Sequence, residues 1–188
     1  AIQIKVLPKN AQDAPARGDA FRDHSQEPPT VSYRSHISNV GWMGVVADGK
    51  TSGVIDSRNA IEALSLSVNW YGHGGSISSR AHVSGIGWQS WSSGTVGTTG
   101  QSRSVESVQF KLNDEISATY DIWYRVYASK LGGWLGWTSN GSPAGSVGKG
   151  AAIQGIQVML VEKGCSAPGD TANHFIGATD VLWQFVLP

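Results

Sequence analysis

Aromatic, acidic and basic side chains recur at matching intervals in this sequence, and they are its best candidates for binding chemistry. A glycine–tryptophan pair recurs in three segments at intervals of 46 residues. The tryptophans of these pairs are Trp42, Trp88 and Trp134. We refer to the surrounding segments as copies one, two and three. An indole can stack on the C–H face of a sugar ring or fill a hydrophobic core, so two roles are open for these residues.

The Gly-Trp tryptophans are expected to fill the core of their own copies, because the adjacent glycine lets a bulky ring approach the backbone closely. A second tryptophan, Trp91 or Trp137, stands three positions later in copies two and three, where copy one has Val45. A core position tolerates valine, whereas a stacking platform does not. Trp91 and Trp137 are therefore candidate sugar platforms or covers of hydrophobic surface. As platforms they predict weaker binding by copy one.

Each copy also carries a polar pair. Its first strand contains Arg-x-His or Arg-x-Tyr, which ends at His36, His82 or Tyr127. Nine positions after a repeated glycine, each copy has an acid or its amide: Glu62, Glu106 or Gln154. The acids share a strand face with apolar residues, so we expect them to be buried and to need a partner, an arginine or histidine of the same or the adjacent copy. A structural polar network is favoured, and a ligand site with one degenerate copy is the alternative.

Alternation of polar and apolar residues predicts the strands that position these side chains. The segments from Arg34, Arg80 and Arg125 and the segments from Glu62, Glu106 and Gln154 all show a period of two. The glycine-rich segments between them fit one short hairpin, for three or four strands per copy, and helix signals are nearly absent. Because no copy can bury its apolar face alone, we expect an all-β fold with pseudo-threefold symmetry. A β-prism is preferred, with a β-trefoil as the alternative.

The sequence divides into three regions. Residues 1–30 combine a strand-like segment, Ala1 to Val6, with a proline-rich arm that contains the tripeptide Arg17-Gly18-Asp19. Residues 31–164 form the triple-repeat domain. Residues 165–188 are a C-terminal extension in which a polar connection precedes an apolar closing strand from Val181, a possible partner of the first strand. We interpret the Arg-Gly-Asp tripeptide as part of a solvated linker.

Composition narrows the class of protein. The 14 acidic and 14 basic side chains balance, so nucleic acid and anionic membranes are disfavoured as partners. A single cysteine, Cys165, excludes an internal disulfide framework. No segment reaches the roughly 18 apolar residues that a membrane-spanning helix needs. Eight tryptophans, 24 glycines and few charges are typical of secreted bacterial β-proteins that handle carbohydrate.

Catalysis and metal binding have little support in the sequence. A glycosidase would need two acids across a cleft, and outside Glu62 and Glu106 the acids do not recur between copies. Cys165 and His174 are only nine residues apart, which by itself does not define a nucleophile and base. The remaining histidines show no metal-ligand spacing. We therefore expect no enzyme activity, no metal and no cofactor.

The pattern H-(I/V)-x-x-(I/V)-G-W, a glycine-rich centre and a strand with R-x-(I/V)-E resembles the ChW repeat, the clostridial hydrophobic repeat with a conserved tryptophan. Copy two matches best; copy one lacks the second tryptophan, and copy three has Tyr127 and Gln154 instead of His and Glu. This family occurs in secreted and cell-surface bacterial proteins. The triple repeat is also similar to small bacterial haemagglutinins that bind rhamnose or galactose.

The resemblance implies a lectin, secreted or on the cell surface, that binds glycans multivalently. It supplies no catalytic residues, and its recurrent residues correspond to the tryptophans, histidines and Tyr127 named above. The alternative is a cell-surface adhesion or protein-interaction module without sugar binding. The sequence specifies neither the sugar nor the oligomeric state.

Overall fold

The computed structural model describes residues 27–180, and this part of the chain is all-β. Its strands are β1 (Thr30–Ile37), β2 (Gly41–Trp42), β3 (Val46–Ala47), β4 (Ser52–Gly53), β5 (Ile61–Asn69), β6 (Ser76–Val83), β7 (Gly87–Trp88), β8 (Val96–Gly97), β9 (Val105–Asn113), β10 (Tyr120–Ala128), β11 (Gly133–Trp134), β12 (Thr138–Ser139), β13 (Ala144–Ser146), β14 (Gly155–Glu162) and β15 (Phe175–Ile176). Helical structure in residues 27–180 is limited to one α-turn, Ile116–Thr119, and a 3-10 turn, Ser129–Leu131.

A long antiparallel pair forms the body of each copy. β1 pairs with β5, β6 with β9, and β10 with β14, as the alternating patterns predict. The alternation places apolar residues of all six strands on one face, where they form a single buried cluster. The short strands make four or five strands per copy, against the three or four that were expected, because the Gly-Trp pair adds its own two-residue strand beside the first long one.

Each copy lends a short strand to the copy before it, and the last exchange closes a ring. β8 of copy two pairs with β5 of copy one, and β13 of copy three pairs with β9 of copy two. β4 of copy one pairs with β14 of copy three. Each of the three sheets therefore contains one strand from the next copy around a pseudo-threefold axis, and within residues 27–180 none closes into a barrel. This arrangement is prism-like and confirms the preferred fold class over the trefoil.

Three equivalent residues meet at the axis. Ile61, Val105 and Ile153 are fully buried. The Ile61 N–H donates to the Ile153 carbonyl at 2.8 Å, and the Ile153 N–H donates to the Val105 carbonyl at 2.9 Å. Ile153 of copy three is thus linked to copies one and two by backbone hydrogen bonds as well as by apolar contact.

Two buried tyrosines join the copies around this core. The Tyr124 hydroxyl accepts a hydrogen bond from the Phe110 N–H at 3.1 Å and donates to the Ser142 carbonyl at 2.5 Å. The equivalent Tyr33 hydroxyl accepts from the Val158 N–H at 3.1 Å and donates to the Lys50 carbonyl. Burial raises the pKa of Tyr33 from 10.0 to about 12, and it raises the pKa of Tyr124 as well.

These tyrosines predict a loss of stability in alkali. A tyrosine whose pKa is raised by folding stabilises the fold below pH 10.0, and this contribution disappears as the pH rises towards about 12. We expect the free energy of unfolding, measured by urea denaturation, to fall across that range. The double variant Tyr33→Phe, Tyr124→Phe should show a shallower fall although it is less stable at neutral pH. Equal slopes in both proteins would exclude the two phenols as the cause.

Several sequence predictions lie outside the described residues. These are the strand at Ala1 to Val6, the Arg17-Gly18-Asp19 tripeptide and the closing strand from Val181. The polar connection of the C-terminal extension is described, and it contains the short strand β15, which the sequence did not predict.

Candidate functional site

Each Gly-Trp tryptophan stands beside the polar end of a long strand. Trp42 lies directly opposite His36 in the β1–β2 pair, and the rings meet edge to face with centroids 5.4 Å apart. Because alternate residues of a strand share a face, Arg34 lies on the same side as His36, and its guanidinium lies 4.7 Å from the centre of the Trp42 ring. Copies two and three repeat this arrangement at Trp88 and Trp134.

This geometry corrects the expectation that the Gly-Trp tryptophans fill the core. Trp42 is 37% exposed, and Trp88 and Trp134 are half-buried. None of the three belongs to the buried cluster. The reason is register: each tryptophan pairs with a residue on the outward face of the long strand, where an arginine covers one part of its ring.

The second tryptophans differ from each other. Trp91 is 37% exposed, with Arg80 at 4.9 Å and the Lys111 ammonium at 4.6 Å from its ring centre. Trp137 is only 6% exposed and contacts Arg125, and the C-terminal extension passes over it. The interpretation of Trp137 as an exposed platform is therefore wrong. Burial also lowers the pKa of Arg125.

The burial of Trp137 predicts unequal stability effects. Trp137→Ala removes a buried ring beneath the extension and should lower the free energy of unfolding by about 3 kcal/mol. Trp91→Ala removes a partly exposed ring and should cost less than about 1 kcal/mol. Urea denaturation of both variants measures the difference. An equal or larger loss for Trp91→Ala would contradict the burial described here.

The two acids are buried and paired with histidine, not with arginine. Glu62 and Glu106 are each 6% exposed. Glu62 Oε2 lies 3.2 Å from His36 Nδ1, and Glu106 Oε2 lies 3.1 Å from His82 Nδ1. Both distances suit an ion pair when the imidazole is protonated, although the atoms lack the alignment of a hydrogen bond. The prediction of a buried acid with a nearby partner is confirmed for both copies.

In copy three, Tyr127 and Gln154 replace the histidine and the acid, and both form hydrogen bonds to copy one. The Tyr127 hydroxyl donates to Asp56 Oδ1. This hydrogen bond raises the pKa of the Tyr127 hydroxyl. The Gln154 side chain accepts from the Ser129 N–H at 2.9 Å and donates to the Ser57 carbonyl. Tyr127 and Gln154 are thus tied to separate partners, and neither substitutes for the His–Glu pair.

A groove opens between copies one and two at the His36–Glu62 pair. Its volume is about 610 Å³. Copy one supplies one wall and copy two the other. The lining residues are His36, Ser38, Asn39, Val40, Gly41, Ala60 and Glu62 from copy one, and Gly100, Ser102 and Ser104 from copy two. Hydroxyl, amide, imidazole and carboxylate groups therefore converge on one cavity.

The corresponding positions between copies two and three lack part of this chemistry. They keep the His82–Glu106 pair, but glycine and alanine replace the hydroxyls of Ser102 and Ser104. Arg103 donates to the Ser84 carbonyl at 3.0 Å, and its guanidinium lies where a side chain at Gly85 would point. The full set of hydroxyl, amide, imidazole and carboxylate groups is therefore a property of the groove between copies one and two.

The contact between copies three and one is crossed by side chains. The hydrogen bonds from Tyr127 to Asp56 and from Gln154 to Ser57 span the two copies at the level of the groove. The three inter-copy contacts therefore differ in their lining side chains. The sequence pattern instead predicts that the copies differ through the second tryptophan.

Some groove residues were missed by the sequence analysis. Asn39, Ser102 and Ser104 carry no repeated pattern, and the serines reach His36 and Glu62 only because copy two lends β8 to copy one. One signal in the sequence could have located the groove: the constant nine-residue spacing from the repeated glycine to the acid. That glycine lies against the backbone of the neighbouring copy.

The other candidate catalytic residues remain apart from this groove. Cys165 is exposed, and His174 Nδ1 lies 2.9 Å from the Pro143 carbonyl. Of the acids that do not recur between copies, Asp121 pairs with Lys163 at 2.7 Å, at the end of β10 away from Tyr127. Glu62 is the acid that lines the groove.

Comparisons with known proteins agree with the repeat pattern. A family model described as "ChW: Clostridial hydrophobic W" matches residues 36–69, 82–114 and 132–162, just over half of the chain. No curated protein and no solved structure matches. None of the helices between residues 27 and 180 is long and apolar enough to cross a membrane. On the strength of its three repeats, the chain belongs to the ChW family.

Proposed function

We propose that this protein is a carbohydrate-binding module, a lectin, and that the groove between copies one and two is its principal site. The observation that carries the proposal is the lining of that groove. Its polar groups are hydroxyls, one amide, one imidazole and one carboxylate, together with the backbone of Gly41 and Gly100. A sugar presents a dense set of hydroxyl donors and acceptors, which such a lining can satisfy.

The Glu62 carboxylate has a defined role in this proposal. A carboxylate accepts hydrogen bonds only, and bonds to a charged acceptor are stronger than neutral ones. Two neighbouring sugar hydroxyls can donate to its two oxygens. His36 Nδ1 lies 3.2 Å from Oε2, so the imidazole flanks one side of the acceptor before the ligand arrives.

Apolar surface beside the groove suits the C–H face of a sugar. Trp42 contacts His36, a lining residue, and is 37% exposed. Val40, in the groove wall, is 57% exposed. A ring that binds between polar and apolar walls matches the two-sided character of a pyranose.

We propose that the protein binds glycans at more than one site and does not hydrolyse them. The His82–Glu106 pair retains the acid of the first groove and would provide a second, weaker site, so that two contacts act together on a glycan surface. A retaining or inverting glycosidase needs a second carboxylate across the cleft. The groove lining has one carboxylate, Glu62. We further propose that the protein acts as a secreted or cell-surface molecule.

A glycan array of the labelled, folded protein tests the proposal, with competition by free rhamnose, galactose and other simple sugars. Binding to a defined set of glycans that a free sugar competes away is the expected result. A blank array with protein shown to be folded by circular dichroism would overturn the lectin assignment. It would favour the alternative, a protein-adhesion module.

A further inference from the structure

The chain covers one of its own sheet edges in copy three. β15 lies parallel to β13, the strand that copy three lends to copy two. The Gly145 N–H donates to the His174 carbonyl at 3.0 Å, and the Val147 N–H donates to the Ile176 carbonyl at 3.0 Å. We call residues 169–176 the strap, because they cross copy three, turn at Ala172–Asn173 and bind its outward backbone groups on both sides of that turn.

The strap also requires a glycine beneath it. The Trp137 N–H donates to the Asp170 carbonyl at 2.7 Å, immediately after Gly136. A Cβ at Gly136 would overlap the Ala172 carbonyl oxygen. A residue without a side chain is therefore needed at this position for the strap to pack here.

Copy two closes the equivalent edge without a strap. The Gln89 side chain accepts from the Gly97 N–H at 2.7 Å and donates to the Gly97 carbonyl at 3.1 Å. One amide thus replaces the backbone contacts that β15 makes with Gly145. Ser90 stands at the position of Gly136, so its Cβ would block a strap laid in the same way.

Copy one has neither a strap nor a side-chain amide at this edge within residues 27–180. The edge glycine of copy one is Gly53. The next residue, Val54, donates its N–H to the Gln154 carbonyl of copy three at 2.9 Å. Because hydrogen-bonded and non-hydrogen-bonded pairs alternate along an antiparallel ladder, the N–H and C=O of Gly53 point away from β14. Within residues 27–180, no hydrogen-bond partner occupies these two groups. Met43 stands where copy two has Gln89, and it has no amide to offer.

The glycine that a strap requires is present in copy one. Gly44 occupies the position of Gly136, is exposed, and would have nothing within 4 Å of an added Cβ. Gly136, under the strap, is buried. Copy one thus presents the acceptor surface of copy three, with backbone groups that no residue between 27 and 180 pairs with.

We propose that copy one binds a polypeptide segment of a partner protein with the shape of the strap, whose short strand adds to β4 in parallel as β15 adds to β13. The partner's backbone carbonyl would lie over Gly44 and another would accept from the Gly53 N–H. This site is separate in chemistry from the proposed sugar groove, because it recognises backbone groups.

Copy one also specifies a side chain of the partner. In the strap, Gly169 lies against the Trp137 ring, where an added Cβ would come within 3.2 Å of ring atoms. Copy one has Val45 instead of this tryptophan, and Val45 is 64% exposed. An apolar residue in the partner at the position of Gly169 would cover Val45, which copy three sterically excludes.

A synthetic peptide with the sequence of residues 167–178 is the probe, titrated against the full chain labelled with ¹⁵N. Saturable shifts at the Gly53 and Gly44 amides are expected. The same peptide with valine in place of Gly169 should bind more tightly. Gly44→Ser, which installs the residue of copy two, should weaken binding at least about tenfold. Gly94→Ser is the matched control at another exposed glycine, where an added Cβ would make only an ordinary contact with Ser92.

A second variant would block the Gly53 edge of copy one with a side-chain amide. Met43→Gln would supply the amide that copy two uses to close Gly97, and it should weaken peptide binding as well. Thermal unfolding of each variant shows whether the fold is retained. Absence of binding to the folded chain would overturn the proposal. Binding with the same affinity to Gly44→Ser would also overturn the proposal, because the peptide would then be displacing the strap from copy three.

Discussion

Replacing Gly97 by alanine should lower the free energy of unfolding by about 4 kcal/mol or more. Gly97 has φ +91°, a left-handed conformation that costs an alanine about 1 kcal/mol or more. In addition, its Cβ would overlap the Glu62 carbonyl oxygen and approach the Ala63 Cα at 2.7 Å. Both atoms belong to the backbone of copy one and cannot rotate away. The clash therefore opens the strand exchange between the first two copies.

Gly72→Ala provides the matched control. Gly72 also has a positive φ, +78°, but an added Cβ there would have nothing within 4 Å. Urea denaturation of the two variants thus separates the cost of the backbone conformation from the cost of the overlap. Gly53→Ala and Gly145→Ala should behave like Gly97→Ala, because their Cβ atoms would meet the backbone of Gln154 and Glu106. Similar losses for Gly97→Ala and Gly72→Ala would disprove close approach between the copies.

Replacing Glu62 by glutamine should weaken binding of the glycan identified on the array by about 30-fold. The substitution removes the charged acceptor from the groove and leaves the side-chain volume nearly unchanged. Copy three already has glutamine at this position, Gln154, so the backbone accepts it. Isothermal titration calorimetry measures the affinity of the variant and the unchanged protein.

Glu106→Gln is the control for this prediction. It removes the same kind of buried His–Glu pair, at 3.1 Å, from copy two. Any general effect of losing such a pair on stability should therefore appear in both variants. Affinity at the principal site should stay within about twofold of the unchanged protein in Glu106→Gln. Equal loss of affinity in the two variants would mean that the groove between copies one and two is not the principal site.

Much of the fold follows from the sequence because its signals are local. The alternation beginning at Arg34 and at Glu62 predicts the paired strands β1 and β5, and the threefold repeat predicts closure around a shared core. Burial of Glu62 also follows from its place on an apolar strand face. In each case, the pattern lies within one copy and depends on the period of a strand.

The position of the tryptophans was harder to predict. Whether Trp42 fills a core or lies on the surface depends on which residue of β1 it faces, and that register is set by the turn between β1 and β2. An arginine two residues before His36 was considered only as a partner of an acid, but it stacks on the indole instead. Periodicity within a strand cannot distinguish these alternatives.

Features formed between copies could not be derived from a single copy. The walls of the groove come from Glu62 in one copy and Ser102 in the next, and they meet only because strands are exchanged around the ring. The burial of Trp137 depends on the strap, whose polar sequence gave no strand signal. Long-range pairing of this kind leaves little trace in local sequence patterns.

The most direct test of the lectin proposal is a crystal structure of the protein with the sugar that competes on the glycan array. We expect electron density for the sugar between the two copies, with hydroxyls within hydrogen-bond distance of Glu62 and Ser102 and a C–H face towards Trp42 or Val40. Density at the Trp91 ring, with the groove between copies one and two empty, would contradict the assignment of the site.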